Sequence, residues 1–373
     1  MRRNFKKLIK VFEDRPSYAL GVREYVADSD FAAEWMAHAE TVASYDPSRG
    51  SALASTGVCL TFRNGNRCLK VRAVALCAFT LKALGHLELS ERFFPFTFQL
   101  AEDCTCCLSL LYRQLARLRS AQRLYAKAFT LAELSIDLAP NELALGLSLA
   151  ARALVLFDSG DFTGAAKDFR RSIDLLPQDK KPAAFHGYAF SLARSKEPSL
   201  VLEAGNLLPK VEEEFKGVRG QSLFRAKLAW LKGSVYSRQA EVVPDRFLKR
   251  RGLRREGAYH LDVALGRFLR MKEPLRLEIE ACTADLVAVE ARFDRYRVPE
   301  IFQRVLVVGR DRGLDLWLPE LSRLRGAVEY WAEARKPGAA AKMWAALKAL
   351  RDATVEAGAT PPLVPYMDPA AAL

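Results

Sequence analysis

Three observations predict an all-α protein. Apolar residues recur at three-to-four spacing along nearly all of the 373-residue chain, the spacing that gathers them on one face of a 3.6-residue helix. Clean two-residue alternation never lasts beyond about four or five positions, so half-buried strands find no support. Breakers recur about every 12–20 residues, at Asp46-Pro47, Asn64-Gly65-Asn66, Pro140-Asn141, Gly160-Asp161, Pro177, Glu197-Pro198, Pro244 and Pro274. They divide the pattern into helices of roughly 10–18 residues joined by short turns.

Taken in order, residues 21–47 read as an opening helix. Asp30-Phe31-Ala32-Ala33-Glu34 starts it, and Ala37, Ala39 and Ala43 supply small residues. A second pattern runs from Val71-Arg72-Ala73 to Lys82-Ala83-Leu84-Gly85. Phe93-Phe94-Pro95-Phe96-Thr97-Phe98 holds four phenylalanines in six positions, and Pro95 bars one helix through it. It reads as a turn in which Phe93 and Phe96 plug neighbouring grooves, or as an exposed apolar patch. Leu223 to Arg238 is amphipathic, with Phe224, Leu228, Leu231 and Val235 on one face. Val305-Leu306-Val307-Val308 has strand composition, but it follows Pro299-Glu300, which opens a helix, and so reads as helical. Trp317, Tyr330, Trp331 and Trp344 read as a capping core, and the proline-rich segment 357–373 as a fraying tail.

Internal repetition is visible around Pro140 and Pro177, which lie 37 residues apart at the ends of helical patterns. Phe169, Ala165 and Phe162 precede Pro177 at the same offsets at which Ala132, Ala128 and Tyr125 precede Pro140. Small residues let two helix axes approach, aromatics fill the adjoining groove, and proline closes the second helix. This pattern resembles the tetratricopeptide repeat. Residues 145–178 match best, although Ala153 stands in place of the first-helix glycine and Arg152 in place of its leucine. Phe185-His186-Gly187-Tyr188-Ala189 and Trp230-Leu231-Lys232-Gly233 look like later first helices. The resemblance covers about residues 20–350 and is closest to the degenerate repeat modules of bacterial regulatory proteins. It implies a right-handed α-solenoid of about six to eight hairpins, with residues 1–20 a peripheral basic segment, 21–356 the solenoid and 357–373 flexible. Such modules often follow a DNA-binding domain; only about 20 residues precede the first helix here, so that function is not carried over.

Basic residues number 57 and acidic ones 44, a formal +13. The excess is close to zero over residues 1–56 and about four or five in each of the next three segments, too thinly spread to establish nucleic-acid binding. The basic N-terminus lacks a secretory apolar run, and no apolar stretch reaches the roughly 18 residues that span a bilayer. Seven irregularly spaced cysteines fit reduced thiols in a cytoplasmic protein better than a disulfide framework.

Two segments invite a chemical reading. Between Tyr236 and Tyr259 about 15 residues exceed an ordinary intra-repeat turn, and 239–257 reads as a basic insertion at a loop. It carries Arg246, Lys249, Arg250, Arg251, Arg254 and Arg255 against Asp245 and Glu256. Arginine forks suit carboxylates and phosphates. The stretch is therefore either a solvated charged loop or a docking site for an acidic partner surface or a nucleic-acid backbone. Were it helical, Arg246, Lys249 or Arg250, and Arg254 are expected to line one face while Phe247 and Leu248 turn inward. The second segment is Asp103-Cys104-Thr105-Cys106-Cys107. Cys104 and Cys107 form a C-x-x-C, which Cys68 or Cys77 could complete, but no second close pair exists, so Cys104 and Cys107 read as small core residues opening a helix.

None of His38, His86, His186 and His260 has a ligand partner at metal spacing on its own helix. Neither a nucleophile elbow nor a phosphate-binding glycine loop is present. The expectation is a non-catalytic adaptor or regulatory subunit without cofactor or metal. Its partner is another protein, docked along the inner helices and assisted by the arginine-rich segment. The alternative is an accessory subunit of a nucleic-acid-associated bacterial complex, in defence or transcription, touching phosphates through the same arginines. No membrane association is expected.

Overall fold

The computed structural model describes residues 29–311 apart from 44, 65–66, 85, 103, 217–220, 244–246, 272–275 and 294–296, together with the isolated positions 12, 16 and 19. Among the described residues there are fifteen helices and no strand. They are α1 (Ser29–Ala43), α2 (Pro47–Asn64), α3 (Arg67–Ala83), α4 (Leu87–Arg92), α5 (Phe94–Ala101), α6 (Thr105–Ala121), α7 (Tyr125–Asp137) and α8 (Glu142–Ser159). There follow α9 (Phe162–Leu175), α10 (Lys181–Arg194), α11 (Pro198–Phe215), α12 (Gln221–Val242), α13 (Phe247–Leu269), α14 (Arg276–Phe293) and α15 (Val298–Asp311).

The breakers act as the sequence suggests, each through an identifiable bond. Asp46 and Asn141 each accept a backbone N–H from three residues on, Arg49 at 3.0 Å and Ala144 at 2.9 Å, and so cap α2 and α8. Asp161 does the same for α9 through the Gly164 N–H at 2.9 Å. Gly160 adopts φ +92°, and the Asp161 N–H returns to the Leu156 carbonyl at 2.9 Å, a left-handed helix stop that glycine makes without a Cβ clash. Val305 to Val308 lies inside α15, as its opening proline and glutamate predict.

The chain forms two compact units, residues 1–155 with 174–176 and residues 156–173 with 177–373. In the first, α1 packs on α2 and α6 on α7, while α1 rests on α3 and α3 on α6. In the second, α10 packs on α11, α12 on α13 and α14 on α15, while α10 rests on α12 and α12 on α14. Hairpins whose first helices stack on one another are the arrangement of a helical repeat.

Small residues mark the close contacts. Ala128, Ala132 and Ala165 are wholly buried, and Phe169 nearly so. In the first unit, the Ser109 and Ser135 hydroxyls each donate to the other's carbonyl, at 2.8 and 2.9 Å, joining α6 to α7 through side chains short enough for the backbones to meet. In the second, an aromatic series runs Phe162, Phe157, Phe190, Trp230 and Phe268 with ring centroids 5.2–6.0 Å apart.

Three expectations are corrected. The phenylalanine run is not a plain turn: Pro95 stands in the first turn of α5, where its missing N–H costs nothing. Phe94 is the buried ring, whereas Phe96, expected to plug a groove, is 48% exposed and stacks on the exposed Phe62 at 6.2 Å. The 1–20 segment is not wholly peripheral, because Ala19 is buried in the core formed by Phe31, Trp35 and Met36, and Phe12 packs against it. Ala37 is exposed, while Ala39 and Ala43 face that core. Trp317, Tyr330, Trp331, Trp344 and the proline-rich tail lie outside the described residues.

Candidate functional site

The basic segment belongs to the α12–α13 hairpin, and most of it is not a loop. Helices α12 and α13 span 22 and 23 residues, so the extra residues lengthen two helices instead of extending a turn. The backbones meet where side chains are absent: a Cβ on Gly233 would lie 2.8 Å from the Leu261 nitrogen, and one on Gly257 would lie 3.0 Å from the Ser237 nitrogen. That contact settles which face of α13 is inward. Ala258, Leu261, Ala264, Leu265 and Phe268 are buried along it.

The face so defined sorts the candidate arginines and corrects the expected basic face, because the helix turns Arg251 and Arg255 outward and not Arg250 and Arg254. Lys249, Arg251 and Arg255 are exposed, whereas Arg250 and Arg254 are half-buried. The Arg250 guanidinium donates Nε–H to the Val243 carbonyl at 3.1 Å and so holds the chain just after α12. Arg246 lies outside the described residues. Leu248 does not turn inward: it is 80% exposed, and Tyr259, further along α13, is 59% exposed. Leu248, Arg251, Arg255 and Tyr259 follow one another at steps of three or four, so they form one stripe with apolar ends and a basic middle. Among the described residues no ion pair engages Lys249, Arg251 or Arg255. At the Tyr259 end the stripe meets a shallow cleft of about 180 Å³ lined by Arg255, Ala258, Tyr259, Asp262, Glu290 and Arg297. Beside it the His260 ring stacks on Tyr236 at 5.6 Å. Burial, then Lys232, hold its pKa below the usual imidazole range.

The cysteines are also rearranged relative to expectation. Cys68 opens α3, Cys104 directly precedes α6, and Cys106 and Cys107 occupy the first turn of α6. The four sulfurs all lie within 4.8 Å of one another. Cys68 to Cys104 is 3.8 Å, Cys104 to Cys106 is 3.1 Å and Cys106 to Cys107 is 4.0 Å. Only Cys107 is buried, with Cys104 half-buried and Cys68 and Cys106 exposed, so the core reading made for Cys104 and Cys107 fits Cys107 alone. Cys77, the other candidate to complete the C-x-x-C, is a separate buried thiol. Burial raises the Cys104 thiol pKa, but hydrogen bonding from the Cys107, Cys106 and Cys68 side chains and the Cys107 backbone outweighs it and brings the value to about 7. Burial pushes Cys107 up instead.

Sequence reading missed one polar assembly entirely. Arg194 in α10 and Asp285 in α14 are fully buried and paired at 3.1 Å. The Trp230 indole N–H of α12 donates to the same carboxylate oxygen at 2.7 Å, and the guanidinium lies 5.0 Å from the Phe190 ring centre. Three consecutive first helices are therefore joined by one buried carboxylate. Nearby, His186 is stacked on Phe190 at 5.5 Å, and its Nε2 lies 3.3 Å from the Lys227 carbonyl. Burial, then Lys227, depress its pKa to about 4, so it serves as a neutral packing group.

Among the described residues no helix is long and apolar enough to cross a membrane. No family model matches the chain. No curated protein matches it in sequence. A solved structure does match in fold: the crystal structure of a Rap protein complexed with competence and sporulation factor superposes with a TM-score of 0.58 at 11% identity, over 88% of this chain and 89% of that chain. Stacked hairpins and this superposition together give the chain the fold of a TPR-like helical repeat protein.

Proposed function

We propose that this chain is a non-catalytic regulatory or adaptor protein that binds a segment of another protein, and that the exposed stripe of α13 is part of the binding face. The observation that carries the reading is the combination of Leu248, Arg251, Arg255 and Tyr259 on one helix face with Lys249 beside them. A stripe with apolar ends and exposed arginines suits an acidic segment with apolar anchors at helical spacing: carboxylates meet the guanidinium forks, and apolar side chains cover Leu248 and Tyr259. The fold likeness to a protein crystallised in complex with another factor supports a binding role of this general kind. Leu248 and Tyr259 are the two most exposed large apolar side chains among the described residues, and apolar and aromatic anchors of this kind carry most of the energy of an interface once covered.

The test uses the full chain with a photo-cross-linking residue at position 252, where the backbone faces open space. Adducts are compared with those of the Lys249→Glu/Arg251→Glu/Arg255→Glu variant, with and without nuclease. The expected result is a nuclease-resistant protein adduct that disappears on charge reversal, with a synthetic peptide of its acidic segment binding the wild-type chain and not the variant. Adducts that vanish with nuclease, and binding that falls steeply with salt as counterion release requires, overturn the reading in favour of a nucleic-acid accessory role. Adducts indifferent to charge reversal overturn the assignment of this face.

A further inference from the structure

We propose that Cys68, Cys104, Cys106 and Cys107 form a four-thiolate zinc site that clips the start of α3 to the start of α6. Four sulfur donors in tetrahedral array are the ligand set of structural zinc. With zinc–sulfur bonds of about 2.3 Å, a tetrahedron places its sulfurs about 3.8 Å apart. The sulfur–sulfur separations of 3.8, 3.1 and 4.0 Å scatter about that value, and no pair exceeds 4.8 Å.

Packing does not account for the cluster. A hydrophobic role would bury all four side chains, yet Cys68 and Cys106 are exposed and Cys104 is half-buried. Convergence at the surface, from segments 36 residues apart in sequence, is what a shared ligand requires and what core formation does not. The surrounding backbone is arranged to hold the donors in place. The Arg67 side chain donates Nε–H to the Leu100 carbonyl and fixes the start of α3 beside the end of α5, one turn before Cys104. The Cys104 N–H donates to the Ala101 carbonyl at 2.9 Å, and the Leu108 N–H to the Cys104 carbonyl at 2.9 Å, which seats Cys104 as the residue that opens α6.

Charge favours the same conclusion. Four thiolates around a divalent cation leave a net charge of about −2, and the cluster sits at the N-terminal, positive ends of two 17-residue helices. With all four positions filled by protein the site is closed, so its role is to brace α3 against α6 and not to activate water. The site is independent of the α13 stripe.

The experiment uses the full chain, purified under reducing conditions. Zinc content is measured after gel filtration, and cobalt(II) is titrated into the metal-free chain as a spectroscopic probe. Cys68→Ser and Cys106→Ser remove one ligand each, and Cys59→Ser, an exposed cysteine outside the cluster, is the control. The expected result is about one zinc per chain in wild type and Cys59→Ser. Cobalt should give the intense thiolate charge-transfer band and visible transitions of a tetrahedral four-sulfur site. Zinc affinity should fall at least about tenfold in the two ligand variants. Wild-type protein that holds less than about 0.1 equivalent of zinc after incubation with excess metal, or gives no thiolate–cobalt band, overturns the proposal whether or not the variants fold. So does a disulfide among these four residues in the native protein, or a zinc content unchanged by Cys68→Ser and Cys106→Ser.

Discussion

The buried Arg194–Asp285 pair makes the sharpest prediction about what holds the second unit together. Replacing Asp285 with alanine leaves a guanidinium at 0% exposure without its carboxylate and takes from the Trp230 N–H its acceptor at 2.7 Å. Breaking one side of a buried ion pair costs about 3–5 kcal/mol, because the remaining charge stays desolvated. The orphaned indole adds to this, since an unsatisfied buried donor costs about 1–3 kcal/mol. A loss of about 4 kcal/mol or more is therefore expected. By contrast, Arg194→Met with Asp285→Leu removes both charges while keeping apolar volume, and buried pairs replaced in this way are often neutral in stability. The double variant should therefore recover most of the loss, short of the cost of the indole. The assay is urea unfolding of the full chain followed by far-ultraviolet circular dichroism, with hydrogen exchange resolving α10, α12 and α14. A single-variant loss below about 1 kcal/mol, or a double variant no more stable than Asp285→Ala, would refute the reasoning.

Three further predictions concern other sites. His186 should make the second unit acid-sensitive. Its folded pKa of about 4 lies below the ordinary 6.5, so the unfolded chain binds the proton first. Stability conferred above pH 6.5 is then lost as pH falls towards 4, by about 1–3 kcal/mol; His186→Phe should flatten that part of the stability–pH curve, and an unaltered slope would contradict the assignment. Ala165→Leu places three extra carbons at a wholly buried contact and should cost about 1–3 kcal/mol; an unchanged melting curve would argue against the repeat register. Lys249→Ala/Arg251→Ala/Arg255→Ala should weaken partner binding while moving stability by less than about 1 kcal/mol, as exposed side chains do; a large fall in melting temperature would make these residues structural.

What the sequence alone determined about this protein is what short-range chemistry specifies. Helical periodicity, the proline and glycine stops, and the matched offsets before Pro140 and Pro177 all express interactions within a few residues or between adjacent helices. The helices, the hairpins and the small residues Ala128, Ala132 and Ala165 were legible for that reason. Likewise Val305 to Val308 followed its opening proline and glutamate and not its β-branched composition. Tertiary structure decided whatever depended on the orientation of whole helices. The close approach at Gly233 and Gly257 turned Leu248 and Arg251 outward and Arg250 back towards Val243, an outcome that charge counting could not separate. Packing chose Phe94 over Phe96 for the core. Distance along the chain hid the rest: Cys68 joins Cys104 across 36 residues and Arg194 joins Asp285 across 91. No local pattern encodes such partners, because only the stacking of successive hairpins brings them together.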